Sequence, residues 1–161
     1  MKILSLFLIV TGLTLGGCCD ENFINPDYDF REYAIDISGR MFDGCLYEPE
    51  FTTEGATPDG EVPYCSNNRI QNRWFKFQFG DDVYFSAEVR SISIGGTQQA
   101  TIVTLWDTDG ITALDCNYYY GLDDDVFVSS SSLTIGNWYY ISVDVAEAQY
   151  AGTFDICLFV D

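Results

Sequence analysis

The chain has 161 residues, enough for one domain with a substantial core, and sets 25 acidic side chains against seven basic ones. A formal net charge of −18 repels phosphate backbones and anionic headgroups, which argues against nucleic acid as a partner. There is no histidine, so Ser-His-Asp and Cys-His catalysis and histidine-ligated metals are ruled out, and the chain reads as non-catalytic.

Residues 1–17 read as an export signal. Lys2 supplies the positive end, residues 3–15 form an apolar run too short to span a bilayer as a mature helix, and Leu15-Gly16-Gly17-Cys18 closes it. LGGC resembles the bacterial lipobox, which implies that Cys18 is acylated and becomes the mature N-terminus. Cys19, Asp20 and Glu21 follow, and this acidic start resembles the tag of lipoproteins displayed outside the cell. The expected location is the outer membrane, lipid-anchored and facing the exterior. Residues 18–31 read as an acidic tether containing Pro26, and residues 32–161 as the folded domain.

In an exported chain Cys45, Cys65, Cys116 and Cys157 read as two disulfides. Three pairings are open. Cys45–Cys65, closing a polar loop, and Cys116–Cys157, tying a middle strand to the last, are preferred. Cys157 lies off the apolar row of its strand, so its bridge should cross an outer face.

Along the domain, Tyr33, Ile35 and Ile37 alternate with polar or small residues as a first strand. Residues 45–65 carry Pro49, Pro58, Pro63, Gly55 and Gly60 and read mostly as loop, with a short edge strand near Phe51. Residues 72–79 point Phe75, Phe77 and Phe79 inward; Asp81 and Asp82 turn the chain into a strand whose apolar row is Val83, Phe85, Ala87 and Val89. Residues 100–106 are apolar on both faces and read as a central strand. Asp107-Thr108-Asp109-Gly110 is a tight turn into residues 111–117, and a short strand begins at Val126. At the C-terminus Tyr139, Ile141, Val143 and Val145 form one apolar row, and Phe154, Ile156, Leu158 and Val160 another. The loop between them, containing Gly152, is expected to close a hairpin. About eight short strands with frequent turns predict an all-β sandwich.

The fragments NRWFKFQF, ATIVTLWD, ITALDCN, IGNWYYISVDV and AGTFDICLFV occur in that order. Together they resemble the bacterial pre-peptidase C-terminal-like domains, over residues 45–160. The resemblance implies a single jelly-roll-like antiparallel β-sandwich, usually a non-catalytic appendage serving secretion, adhesion or polymer binding, with calcium bound by some relatives.

Two candidate sites follow. Asp107 and Asp109 resemble the opening of a calcium loop, and Asp123, Asp124 and Asp125 offer a dense oxygen source, although Tyr118 stands where an EF-hand needs its last carboxylate. Tyr118, Tyr119 and Tyr120 lie in a loop, and Trp138 and Tyr140 fall on the less apolar face of their strand. Such aromatics stack on sugar rings or anchor a partner, though they also serve ordinary β packing. The expected role is adhesion or glycan binding at the cell surface. The alternative is an accessory subunit of an outer-membrane secretion or transport complex.

Overall fold

The computed structural model describes residues 29–40, 48–67, 69–80, 83–121 and 125–160. The export signal, Cys18, Cys19, Cys45, Asp81, Asp82, Asp123 and Asp124 lie outside the described residues.

Nine strands carry the fold: β1 Ile35–Asp36, β2 Phe51–Thr52, β3 Arg73–Gln78, β4 Phe85–Arg90, β5 Thr101–Trp106, β6 Ala113–Tyr118, β7 Val126–Ser130, β8 Trp138–Val145 and β9 Thr153–Val160. They form two facing sheets, one ordered β1-β3-β8-β5-β6 and the other β2-β9-β4-β7. This is an all-β sandwich. The pairs are antiparallel apart from β1 with β3, which is parallel. Strand β5 lies between β8 and β6 with all six residues buried, as expected of a central strand.

The core is the set of inward rows. Phe75 and Phe77 from β3, with Phe79, meet Phe85 from β4 and Phe154 from β9. Phe77 and Phe85 stack at 4.3 Å across the two sheets, and Phe75 meets Phe154 edge-on at 6.1 Å. Each fully buried phenylalanine contributes about 1.5–3 kcal/mol of transfer free energy.

The expected C-terminal hairpin does not form. β8 belongs to the five-stranded sheet and β9 to the four-stranded one, so the connection between them crosses the sandwich. Their apolar rows face each other across the core instead of lying side by side. A close approach fixes where β9 begins: a Cβ on Gly152 would meet the Gln98 backbone nitrogen and the Thr97 side chain. Among the described strands β5 and β6 are the one pair both consecutive in the chain and hydrogen-bonded. Two smaller expectations also change. Val83 is 81% exposed and precedes β4, and Tyr33 is exposed in a short 3-10 turn, Arg31–Tyr33.

Asp29 and Arg31, which the sequence assigns to the tether, are in contact with the domain. Asp29 is buried, accepts hydrogen bonds from Thr57 N (2.8 Å) and Thr57 Oγ1 (2.7 Å), and pairs with Arg73 at 3.4 Å. Arg31 Nη1 donates to Gly110 O at 2.7 Å. Paired charges, which would be costly to bury singly, pin this segment to the domain.

Residues 53–72 and the segment before β1 form a roof over the outer face of the five-stranded sheet. Beneath it Trp74, Trp106 and Ala34 make a second small core, with Ala113 and Tyr140 packed against it. Arg69 lies between the two indoles, 5.0 Å and 5.1 Å from their rings, and burial pushes its guanidinium down to about 10. Trp106 Nε1 donates to Ser142 Oγ at 2.9 Å. The Asp144 carboxylate accepts from Gln71 N and Val145 N at 2.9 Å and 2.7 Å, and more distantly from Ile70 N. Burial raises the Asp144 carboxyl above the ordinary aspartate range, against the pull of those donors.

Candidate functional site

The described bridge joins Cys65 to Cys116, with Cα atoms 5.8 Å apart. This corrects the preferred pairings Cys45–Cys65 and Cys116–Cys157. Cys116 alternates with the inward residues of β6 and so faces the roof, which brings Cys65 to it. Cys157 is also disulfide-bonded. It is fully buried between the inward Ile156 and Leu158, on the outward side of β9.

The Cys65–Cys116 bridge places Tyr64 beside the edge strand β6. Cys116 N donates to Tyr64 Oη at 3.0 Å, and that hydroxyl donates to Asp115 Oδ1 at 3.4 Å. Two residues further along β6, on the same face, stands Tyr118, about 7 Å on at the strand rise. Tyr118 packs against Tyr120 with ring centres 4.9 Å apart and planes at 67°. Tyr64 is 69% exposed, Tyr118 47% and Tyr120 65%. Three phenol rings thus line one edge of the sandwich. Tyr119 turns differently: its ring lies against Gly121, where a Cβ could not fit.

The backbone beneath this row is firmly held. Asp115 Oδ2 accepts from Ser129 N at 2.8 Å, and Asn117 Nδ2 donates to Phe127 O at 3.0 Å. These two side chains fasten β6 to β7 of the other sheet, where no ladder runs between them. Tyr119 N donates to Thr101 O at 2.9 Å, anchoring the start of the loop.

Trp138 and Tyr140 are not part of the row. Tyr118 pairs with Ile102, and Ile102 with Asp144, which is six residues along β8 from Trp138. At the strand rise the separation is about 20 Å. Tyr140 packs edge-on against Trp74 at 6.5 Å and belongs to the small core under the roof. Trp138 is 38% exposed, with Lys76 Nζ 5.6 Å from its ring centre.

The acidic candidates separate in the same way. Asp109 Oδ1 accepts from Ile111 N and Thr112 N and its Oδ2 from Thr112 Oγ1, at 2.8–2.9 Å, and these hydrogen bonds lower its carboxyl. Asp107 Oδ1 accepts from Thr108 N at 2.7 Å. Both carboxylates shape the β5–β6 turn. Asp125 lies at the other end of β6, where it accepts from Ser93 Oγ at 2.7 Å and faces Arg90 at 3.8 Å. A six-residue strand keeps the two groups about 20 Å apart, so Asp107 and Asp109 cannot share one ion with Asp125. Among the described residues no three histidine, cysteine or acidic side chains are grouped to hold a metal.

The sequence names Tyr118 and Tyr120 as candidates and passes over Tyr64, which the structure sets on the same edge. Its only signal was adjacency to Cys65, and that becomes informative once the Cys65–Cys116 pairing is known.

No family model matches the chain, and neither does any curated protein. Three solved structures are similar to it. The Podospora anserina GH26-CBM35 β-(1,4)-mannanase is 14% identical over 74% of this chain and 28% of that one, at a TM-score of 0.38. The CBM36-1 domain of a multidomain xylanase from the hindgut metagenome of Trinervitermes trinervoides is 13% identical over 68% of this chain and 84% of its own, at 0.37. CsCBM6-3 from Clostridium stercorarium, in complex with cellobiose, is 16% identical over 80% of this chain and 98% of its own, at 0.38. This chain thus spans little more than a quarter of the mannanase. At TM-scores this low the likeness carries no inference about ligand or activity.

Proposed function

We propose that this protein is a non-catalytic glycan-binding module displayed on the cell surface by an acylated Cys18, with adhesion as its role. The reading is carried by the row Tyr64, Tyr118 and Tyr120. Large amphipathic rings stand exposed on an edge strand braced by a disulfide and by side-chain bonds to the opposite sheet. Such rings stack on the C–H faces of sugars while their hydroxyls meet sugar hydroxyls, and a rigid support keeps the ordering cost low. The LGGC sequence supports the anchor, and the fragment resemblance to pre-peptidase C-terminal-like domains fits an appendage that binds a polymer.

The direct test is pull-down on insoluble polysaccharides together with affinity electrophoresis in soluble ones, using wild type and Tyr64→Ala, Tyr118→Ala and Tyr120→Ala. Loss of retention in the variants, with unchanged thermal melting, is the expected result. Retention equal to wild type in all three would remove the row from the function. Mass spectrometry of the mature N-terminus tests the anchor, and an unmodified Cys18 would overturn it. If the native protein co-purified with a large membrane complex and bound no glycan, the accessory-subunit role would replace this one.

A further inference from the structure

Resting on the glycan-binding reading, the charge inventory narrows the ligand. Apart from Lys2, every basic residue of the chain lies among the described residues, so their engagements can be followed one by one. Arg40 pairs with Glu50 and Asp155, and Arg90 with Glu88 and Asp125. Arg73 is buried against Asp29 and the carbonyls of Thr52 and Glu54. Arg31 reaches Gly110 O, and Arg69 is wedged between Trp74 and Trp106 with Nε on Glu61 O. Lys76 stands over Trp138, at the far end of the sheet from Tyr118 and level with Asp36 of β1. Among the described residues every cation is engaged elsewhere, and Arg90, which faces Asp125 beside the row, is also paired with Glu88.

An anionic polymer would therefore approach a surface of like charge and find among the described residues no unengaged guanidinium or ammonium to pair with its carboxylates or sulfates. A cationic polymer meets the opposite field, yet Asp115 and Asp125, two described carboxylates beside the row, are already in use. Asp115 Oδ1 accepts from Cys116 N and Tyr64 Oη, its Oδ2 accepts from Ser129 N, and Asp125 is held by Ser93 and Arg90. Neither is spare to fix an ammonium in one place. What the row does offer is aromatic faces and phenol hydroxyls. We infer that the polymer lying on Tyr64, Tyr118 and Tyr120 is an uncharged polysaccharide of neutral hexoses or pentoses, recognised by stacking.

The test uses the full-length protein and three kinds of polymer: neutral chains (β-glucan, mannan and xylan), polygalacturonate, and chitosan. Each is titrated at low and at high salt, with wild type and Tyr118→Ala. The expected result is that a neutral polymer binds best, that its affinity changes less than about twofold with salt, and that Tyr118→Ala weakens it about tenfold. Strongest binding to polygalacturonate or chitosan, falling with salt and still dependent on Tyr118, would overturn the inference while leaving glycan binding at this row intact. If no polymer binds, or Tyr118→Ala binds as well as wild type, the underlying reading fails and the inference with it.

Discussion

Two aspartates at opposite positions in the fold couple folding to pH with opposite sign. Asp144 lies beneath the roof, and burial raises its carboxyl above the unfolded value. Between the two values the native state holds a proton that the unfolded chain has released, so the contribution is fully present below the unfolded value and lost as pH rises through the folded one. Asp109 is exposed at the β5–β6 turn, and bonds from Thr112 and Ile111 lower its carboxyl. Its contribution is present above the unfolded value, about 3.9, and lost as pH falls through the folded one. Urea midpoints of Asp144→Asn, taken relative to wild type, should therefore improve as pH rises from acid to neutral. Those of Asp109→Asn should worsen over the same rise. Parallel pH profiles for the two variants and wild type would refute the assignment. Neither environment was legible from the sequence alone. Asp109 was readable as a turn residue, because D-T-D-G announces one. Asp144 sits at an alternate position of β8 that reads as solvent-facing, and only the roof, a stretch read mostly as loop, buries it.

Alternation along a strand identifies which side chains point at the core, and that part of the fold was readable at the level of single elements. It does not identify the neighbouring strand. Two strands paired side by side and two strands facing across a sandwich give the same period of two, which is why β8 and β9 read as a hairpin. The cysteine pairing failed for a related reason. Distance along the chain says nothing about which face of β6 Cys116 occupies. The observed bridge closes a segment with a sequence separation of 51, and the loop-entropy account assigns such a closure about 4 kcal/mol. Cys65→Ala with Cys116→Ala should lower the unfolding free energy by up to that amount. It should also weaken any binding that depends on Tyr64, since the bridge holds that residue at β6. Melting and binding unchanged in the double variant would show that the roof is held without the bridge, by its other contacts such as those of Arg69, Asp144 and Asp29. At the crossing from β8 to β9, Gly152→Ala drives a methyl into Gln98 N and Thr97. Overpacking of this kind costs about 1–3 kcal/mol, to be read as a lowered urea midpoint without a change in slope.

At the scale of the whole molecule, the same sheet that carries the tyrosine row sends its other exposed aromatic, Trp138, to the opposite end. Membership of one candidate site could be read for Tyr118 and Tyr120, which are close in the chain, but not for residues brought near or kept apart by the register of four strands. Net charge, by contrast, is fixed by composition, and its consequence is global. Most of the acidic side chains have no cation to meet, so the compact state carries self-repulsion that unfolding relieves. Screening shortens the reach of that repulsion to about 10 Å at 0.1 M salt. The melting temperature should accordingly climb from low to moderate sodium chloride and then level off. Calcium separates this collective effect from a specific site. Diffuse repulsion responds to ionic strength, so sodium, magnesium and calcium chlorides matched in ionic strength should give nearly coincident melts. A bound ion instead adds stability that grows with the logarithm of its concentration above its dissociation constant. With Asp107 and Asp109 occupied in their own turn and Asp125 a strand's length away, coincident melts are the expected outcome. An added rise with calcium alone, continuing after sodium has levelled off, would assign a specific site that Asp107 and Asp125 cannot share.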